Sequence, residues 1–193
     1  MKVLQRRDLL SLEDYAQKRA DFRARVLAHK RHRQVAIGEH GRLYFEDRLT
    51  VQYQIQEMLR IEKIFEGDEI EEELKAYNPL IPDGHNWKAT FMLEYEDIEE
   101  RRKALASLRG VAAKVWVQVG AKARVWAVAD EDMGRENADK TSSVHFLRFD
   151  LTPGMVSDAK GGAAISCGID HPAYRHETVL DDSTRAALAA DLD

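Results

Sequence analysis

The 193-residue sequence predicts an α+β fold: a mainly antiparallel β-sheet with helices packed on one face and a helical segment at the N-terminus. Three observations predict it. Helical patterns dominate the first half of the chain and strand patterns the second. Strands that neighbour in sequence are joined by turns too short for the crossovers that parallel strands need. No internal repeat, low-complexity tract or linker interrupts the chain, so residues 1–193 read as a single domain.

The elements follow in order. Ser11-Leu12-Glu13-Asp14 resembles a capping box and starts a helix that should run to about Arg33. Gln34-Val35-Ala36-Ile37 and Arg42-Leu43-Tyr44-Phe45 flank a Gly-bounded turn and predict a hairpin. Asp47 or Thr50 caps a second helix over 48–65. A short acidic helix follows at 69–77, and the two prolines of 78–84 make a loop. Thr90 to Tyr95 reads as a strand. Asp97 with Glu100 starts a helix that Gly110 stops. Strands are expected at 113–119, 124–129 and 143–151, with a polar loop at 130–142. Thr152-Pro153 opens a short helix, Ala163 to Ile169 forms a strand, and Ser183 to Leu192 a closing helix.

Composition narrows the function classes. Hydrophobic residues make up 44% and charged residues 33%, a globular balance. No stretch approaches the roughly 20 apolar residues that span a bilayer, so no membrane role is expected. Met1 to Leu12 lacks the apolar core of a secretory signal, and the single Cys167 excludes an internal disulfide. The expected compartment is therefore cytoplasmic. The net charge of −5 is unevenly spread. Residues 1–33 hold ten Lys/Arg against four Asp/Glu, whereas residues 62–100 hold thirteen Asp/Glu against three Lys. Such asymmetry suggests internal complementarity before a partner. The run His29-Lys30-Arg31-His32-Arg33 could contact nucleic acid, but a solvated helix face is the commoner meaning of such a run.

The helix at 48–65 carries polar residues in an unexpected place. At 100° per residue, with Val51 at zero, Ile55 falls at about +40°, Met58 at about −20° and Leu59 at about +80°. Glu62, at about +20°, lies near the middle of that apolar face, and Gln54 falls within it at about −60°. A carboxylate buried there must be paired, protonated or metal-bound. On the first helix Arg19 and Arg23 fall inside the apolar arc, so an ion pair or network joining Glu62 to Arg19 or Arg23 is the simplest account. The alternatives are a functional Glu62 and a rotated helix that exposes it.

Other chemistry is less specific. In Val144-His145-Phe146-Leu147-Arg148-Phe149, alternation turns His145 inward with Leu147 and Phe149. Residues 167–177 gather Cys167, His171, Tyr174 and His176, types suited to metal binding or a Cys/His pair, without a specific arrangement. Asp130-Glu131-Asp132-Met133-Gly134 begins like a calcium loop but lacks its closing Glu. Catalytic residues and any cofactor or metal stay unassigned.

Phe45-Glu46-Asp47-Arg48-Leu49-Thr50, then Gln54-Ile55-Gln56-Glu57-Met58-Leu59-Arg60 with Glu62, resembles a bacterial family known as domain of unknown function 3501. Val144 to Phe149, Asp170-His171-Pro172-Ala173-Tyr174 and Ala187 to Leu192 fit it too. The resemblance spans nearly the whole chain. It implies an association with redox or peroxide metabolism; with no recognisable catalytic constellation, the first expectation is a non-enzymatic accessory protein with a partner in a redox system, and a homo-oligomer is a separate expectation. A second expectation is a small-molecule or metal site built from Glu57, Glu62, His145, His171 and Tyr174. A third and weaker one is nucleic-acid binding through residues 28–33.

Overall fold

The computed structural model describes residues 2–129 and 140–193. Its first helix, α1 (Leu12–Lys30), starts where Ser11 Oγ accepts the Asp14 N–H at 3.1 Å. It ends three residues before the expected Arg33, in a turn that delivers the chain into β1 (Gln34–Ile37). Gly38 takes φ +70°, and β2 (Gly41–Phe45) returns as the expected hairpin. Asp47 and Thr50 then cap each other's backbone at the start of α2 (Arg48–Glu62).

This second helix stops earlier than its apolar pattern suggests. Lys63 adopts the left-handed conformation, φ +56°, and terminates it, so Phe65 is not helical. The acidic α3 (Gly67–Tyr77) follows, then β3 (Asn86–Leu93), which begins four residues before the expected strand. Asp97 caps α4 (Ile98–Ser107) as expected. The remaining elements are β4 (Val115–Val119), β5 (Val125–Trp126), β6 (Val128–Ala129), β7 (Val144–Asp150), α5 (Pro153–Lys160), β8 (Ile165–His171), β9 (Tyr174–Val179) and α6 (Asp182–Ala190). Strand β9 is not foreseen by the sequence reading. The expected loop at 130–142 and its calcium-like stretch fall largely outside the described residues.

The fold is α+β and its described strand pairs are antiparallel, as expected, but the strands divide into two sheets. One runs β1-β2-β3-β7-β6 and the other β5-β4-β8-β9. They share a chain segment: Val125–Trp126 pair with β4, Ala127 N–H donates to Val115 C=O at 2.9 Å, and Val128–Ala129 pair with β7. On the far side Tyr174 of β9 reaches the β1–β2 turn. The sheets thus enclose one core, in which Leu43, Phe91, Phe149, Val115, Val117 and Ile169 are buried. Alternation along β7 buries His145, Leu147 and Phe149, matching the period-2 reading. A second, smaller cluster lies among the helices: Leu4, Val51, Ile55, Leu59, Leu74 and Ile81.

Candidate functional site

The two N-terminal helices meet at Glu57. Arg19 grips this carboxylate with its fork, Nε to Oε1 at 2.8 Å and Nη2 to Oε2 at 2.9 Å. Tyr15 donates its hydroxyl to Oε1 at 2.6 Å, and Arg60 reaches Oε2 at 3.2 Å. The Arg19 hydrogen bond, aided by Tyr15 and Arg60, outweighs burial and holds the Glu57 carboxyl down at about 2. Burial, with Glu57 beside it, pushes the Tyr15 phenol up. The sequence reading places Glu57 in a ligand site; the structure shows it saturated by three intrachain donors.

Glu62 is not the centre of a buried pair. It is exposed in the last turn of α2, and Arg23 is exposed on α1. The ion pair expected among Arg19, Arg23 and Glu62 is therefore corrected to Arg19–Glu57. The helical angle of Glu62 is right, but its axial position is not: Val51, Ile55 and Leu59 pack in the helical core, and Glu62 lies in the turn beyond them. Gln56, with Thr50, is a buried polar residue of this helix instead. Its side chain accepts the Leu10 N–H at 2.6 Å and donates to the Leu10 C=O at 3.3 Å, closing the N-terminal segment over α2.

The three other expected ligand residues serve the backbone. His145 lies opposite Phe91 and stacks on it, with Nε2 2.9 Å from Thr141 Oγ1 and 3.1 Å from Ser142 C=O. His171 Nδ1 accepts the Ala173 N–H at 3.2 Å, which leaves Nε2–H to donate to Arg109 C=O at 3.0 Å. Tyr174 donates to Ile37 C=O at 2.7 Å and accepts the His40 and Gly41 N–H groups at 3.0 Å each. A Cβ on Gly38 would sit 2.5 Å from that hydroxyl, so the bare turn and the phenol fit together. His171 and Tyr174 share the end of the β8–β9 hairpin, but the structure does not bring them to Glu57, Glu62 or His145. Cys167 is buried in β8, where burial pushes its thiol up to about 12.

The sequence reading misses the densest charged cluster. Arg33, read there as part of a solvated run, is buried. It donates to the Phe45 and Glu46 carbonyls at 3.1 and 3.2 Å, pairs with both oxygens of Asp191, and lies 3.6 Å from Asp47. His29 Nε2 approaches Asp47 Oδ2 at 2.5 Å. Burial works against the Asp47 charge, but Arg33, the Thr50 N–H and His29 together hold its carboxyl below the usual range. For Asp191 burial prevails, and its carboxyl is raised despite Arg33. Next to this cluster, buried Glu46 accepts from Thr50 at 2.6 Å, Thr90 at 2.7 Å and Gln54 at 3.1 Å. Gln54 thus has its partner on β2's continuation rather than inside the apolar face. The only sequence signal for all this is the adjacency of Glu46 and Asp47 at a helix start.

An open cleft of about 590 Å³ lies beside the β1–β2 turn, lined in part by Glu39, His40, Glu94, Tyr95, Glu100 and Ser143. His40 stacks on Tyr95 with ring centroids 3.9 Å apart and donates Nδ1–H to Glu94 C=O at 2.9 Å. Its Nε2 then faces Glu39 and Glu100, each 3.9 Å away. Among the described residues no group of three or more His, Cys, Asp or Glu is placed to hold a metal ion. Nor is any described helix long and apolar enough to cross a membrane.

No curated protein matches the chain. Its fold is similar to the crystal structure, at 1.90 Å resolution, of a protein of unknown function from Burkholderia pseudomallei K96243. That likeness has a TM-score of 0.95 at 52% identity and covers 100% of both chains. Residues 3–192 match the family described as protein of unknown function, DUF3501, and the chain belongs to that family.

Proposed function

We propose that the chain acts as a single-domain, cytoplasmic, non-catalytic interaction protein. The observation that carries this reading is the exposure of α1. Of its nineteen residues only Tyr15 and Val26 are buried. A helix gains most of its stability in a protein from a packed apolar face. This one packs along a single narrow edge and presents the rest of its length, about 28 Å, to solvent. Meanwhile Glu57, His145, His171 and Tyr174 each hold backbone or neighbouring side chains together. Affinity capture of the chain at native expression tests the proposal. A stable partner, or self-association, is expected; recovery of the bare monomer would count against it.

The redox association implied by the family resemblance has no support in the comparisons and identifies no partner. A second reading, small-molecule binding, draws on the cleft where His40 stacks on Tyr95. A thermal-shift screen of small organic cations tests it, with a rise in melting temperature that Tyr95→Ala abolishes as the expected result. Nucleic-acid binding through residues 28–33 is the weakest reading, because Arg33 and His29 are engaged by carboxylates.

A further inference from the structure

One wall of the cleft beside the β1–β2 turn comes from the first turn of α4, through Glu100 and Arg101. The core does not hold that turn. Of the ten residues of α4 only Leu105 is buried, and the anchorage continues beyond it through Leu108 and Val111. Leu105 C=O also accepts the Thr141 N–H at 2.9 Å. At the other end residues 98–100 are exposed, Ile98 by 68%, and Arg101 is half-buried. The helix is therefore fixed at its C-terminal end and lightly held at its start, where Asp97 caps it through the Glu100 N–H at 2.7 Å.

His40 faces that first turn. Its ring stacks on Tyr95 and gives Nδ1–H to Glu94 C=O, and its backbone N–H goes to the Tyr174 hydroxyl at 3.0 Å. Nε2 is then the ring nitrogen left to gain a proton. It stands between Glu39 of its own turn and Glu100 of α4, 3.9 Å from each. While Nε2 is bare, an acceptor faces two acceptors, and the carboxylates repel each other across it. A proton on Nε2 puts a positive charge between them, so the force between the turn and α4 changes sign. Histidine is the side chain that ordinarily makes such a change between about pH 5 and 8. Other groups surround the ring. The Glu94 carboxylate is turned to Arg42 and Tyr44, at 3.1 and 2.7 Å. Glu96 and Arg101, an acid and a base, line the same cleft. Burial, then Tyr174, Glu100 and Glu39, push the Tyr95 phenol up, so a neutral ring lies against the imidazole. The Tyr174 hydroxyl is committed to three backbone groups of the turn. His176 also approaches, its ring 4.7 Å from that of Tyr174 and close to Gly38.

We propose that His40 is a proton-operated latch. Protonation of Nε2 draws Glu100, and with it the first turn of α4, onto the β1–β2 turn and narrows the cleft; loss of the proton releases that turn. Leu105 and Leu108 keep the far end of α4 in place, so the movement is confined to the start of the helix. The device goes beyond both readings above, because it sets the pH range over which the cleft stands open whichever of them holds.

Hydrogen exchange on the full chain, corrected for the intrinsic pH dependence of amide exchange, tests it at about pH 5.5 and about pH 7.5. The reporters are the first bonded amides of α4, beginning with Arg101 N–H, which donates to Asp97 C=O at 3.0 Å. Their protection should be about 5-fold higher at the lower pH, the scale of a partly exposed ion pair. Added salt should shrink that difference. His40→Asn keeps a donor for Glu94 C=O but has no atom at the Nε2 position, and the difference should vanish. It should vanish equally in Glu100→Gln, an exposed position where folding is not at stake, and persist in His176→Gln. Circular dichroism checks that each variant is folded. Equal protection at the two pH values in the parent chain overturns the inference. So does a difference that survives in His40→Asn or Glu100→Gln, or one that His176→Gln removes.

Discussion

Arg19 and Glu57 are joined side-on by two parallel hydrogen bonds, and this pair fixes how α1 lies against α2. Its pH dependence follows from the direction of the shift. An unfolded glutamate titrates near 4.5, whereas folded Glu57 titrates at about 2. Its contribution is complete above pH 4.5 and disappears as the pH falls toward 2. Thermal melts across that window should show stability falling with acid, and the fall should be shallower in Glu57→Gln. At neutral pH that variant should lose about 1 kcal/mol, because Arg19 stays partly in water.

Glu62→Gln should behave in the opposite way. The side chain is exposed and faces Glu73, so neutralising it removes repulsion and breaks no pair. Chemical denaturation should give a stability within about 0.5 kcal/mol of the parent chain, or slightly above it. A loss of several kcal/mol would restore the buried pair that the helical pattern alone suggests.

Arg33→Met should be among the most damaging substitutions. It leaves Asp191 and Asp47 buried without their shared cation. Breaking such a pair by removing one partner costs about 3–5 kcal/mol. The double variant Arg33→Met/Asp191→Asn should recover part of that loss, and urea midpoints for the four proteins of the cycle measure how much. Strict additivity would show that the two residues do not interact.

Tyr174→Phe removes one hydroxyl that serves three backbone groups. The expected loss is about 1–3 kcal/mol. Hydrogen exchange should locate it: the amides of His40 and Gly41 should exchange faster while those of β7 keep their protection. Uniform acceleration across the molecule would mean that the hydroxyl has no local role at the turn.

What could be read in advance was local. Ser11, Asp47, Asp97 and Thr152 cap helices through side-chain contacts three residues long, so their meaning is written beside them. The inward turn of His145 follows from alternation within one strand. Position along an axis is different. The rotation of α2 is legible, but the extent of its cover depends on Leu4, Leu74 and Ile81, which no pattern in 48–65 contains. The same holds for β9, whose mixed sequence Tyr-Arg-His-Glu-Thr-Val becomes a strand by pairing with β8 and is left exposed along its charged middle. Arg33 belongs to neither class, since its principal partner is 158 residues away.

That separation has a consequence for how the chain matures. During synthesis α1 and α2 emerge early and are free to pair through Arg19 and Glu57, which lie 38 residues apart. Arg33 and Asp47 emerge with them, but Asp191 follows Arg33 by 158 residues. The nascent helical layer must therefore wait with a charged seam half closed until the segment that carries Asp191 has been made. A chain that stops short of that segment keeps the buried Arg33 without its Asp191 partner, and so exposes a seam that the folded chain closes.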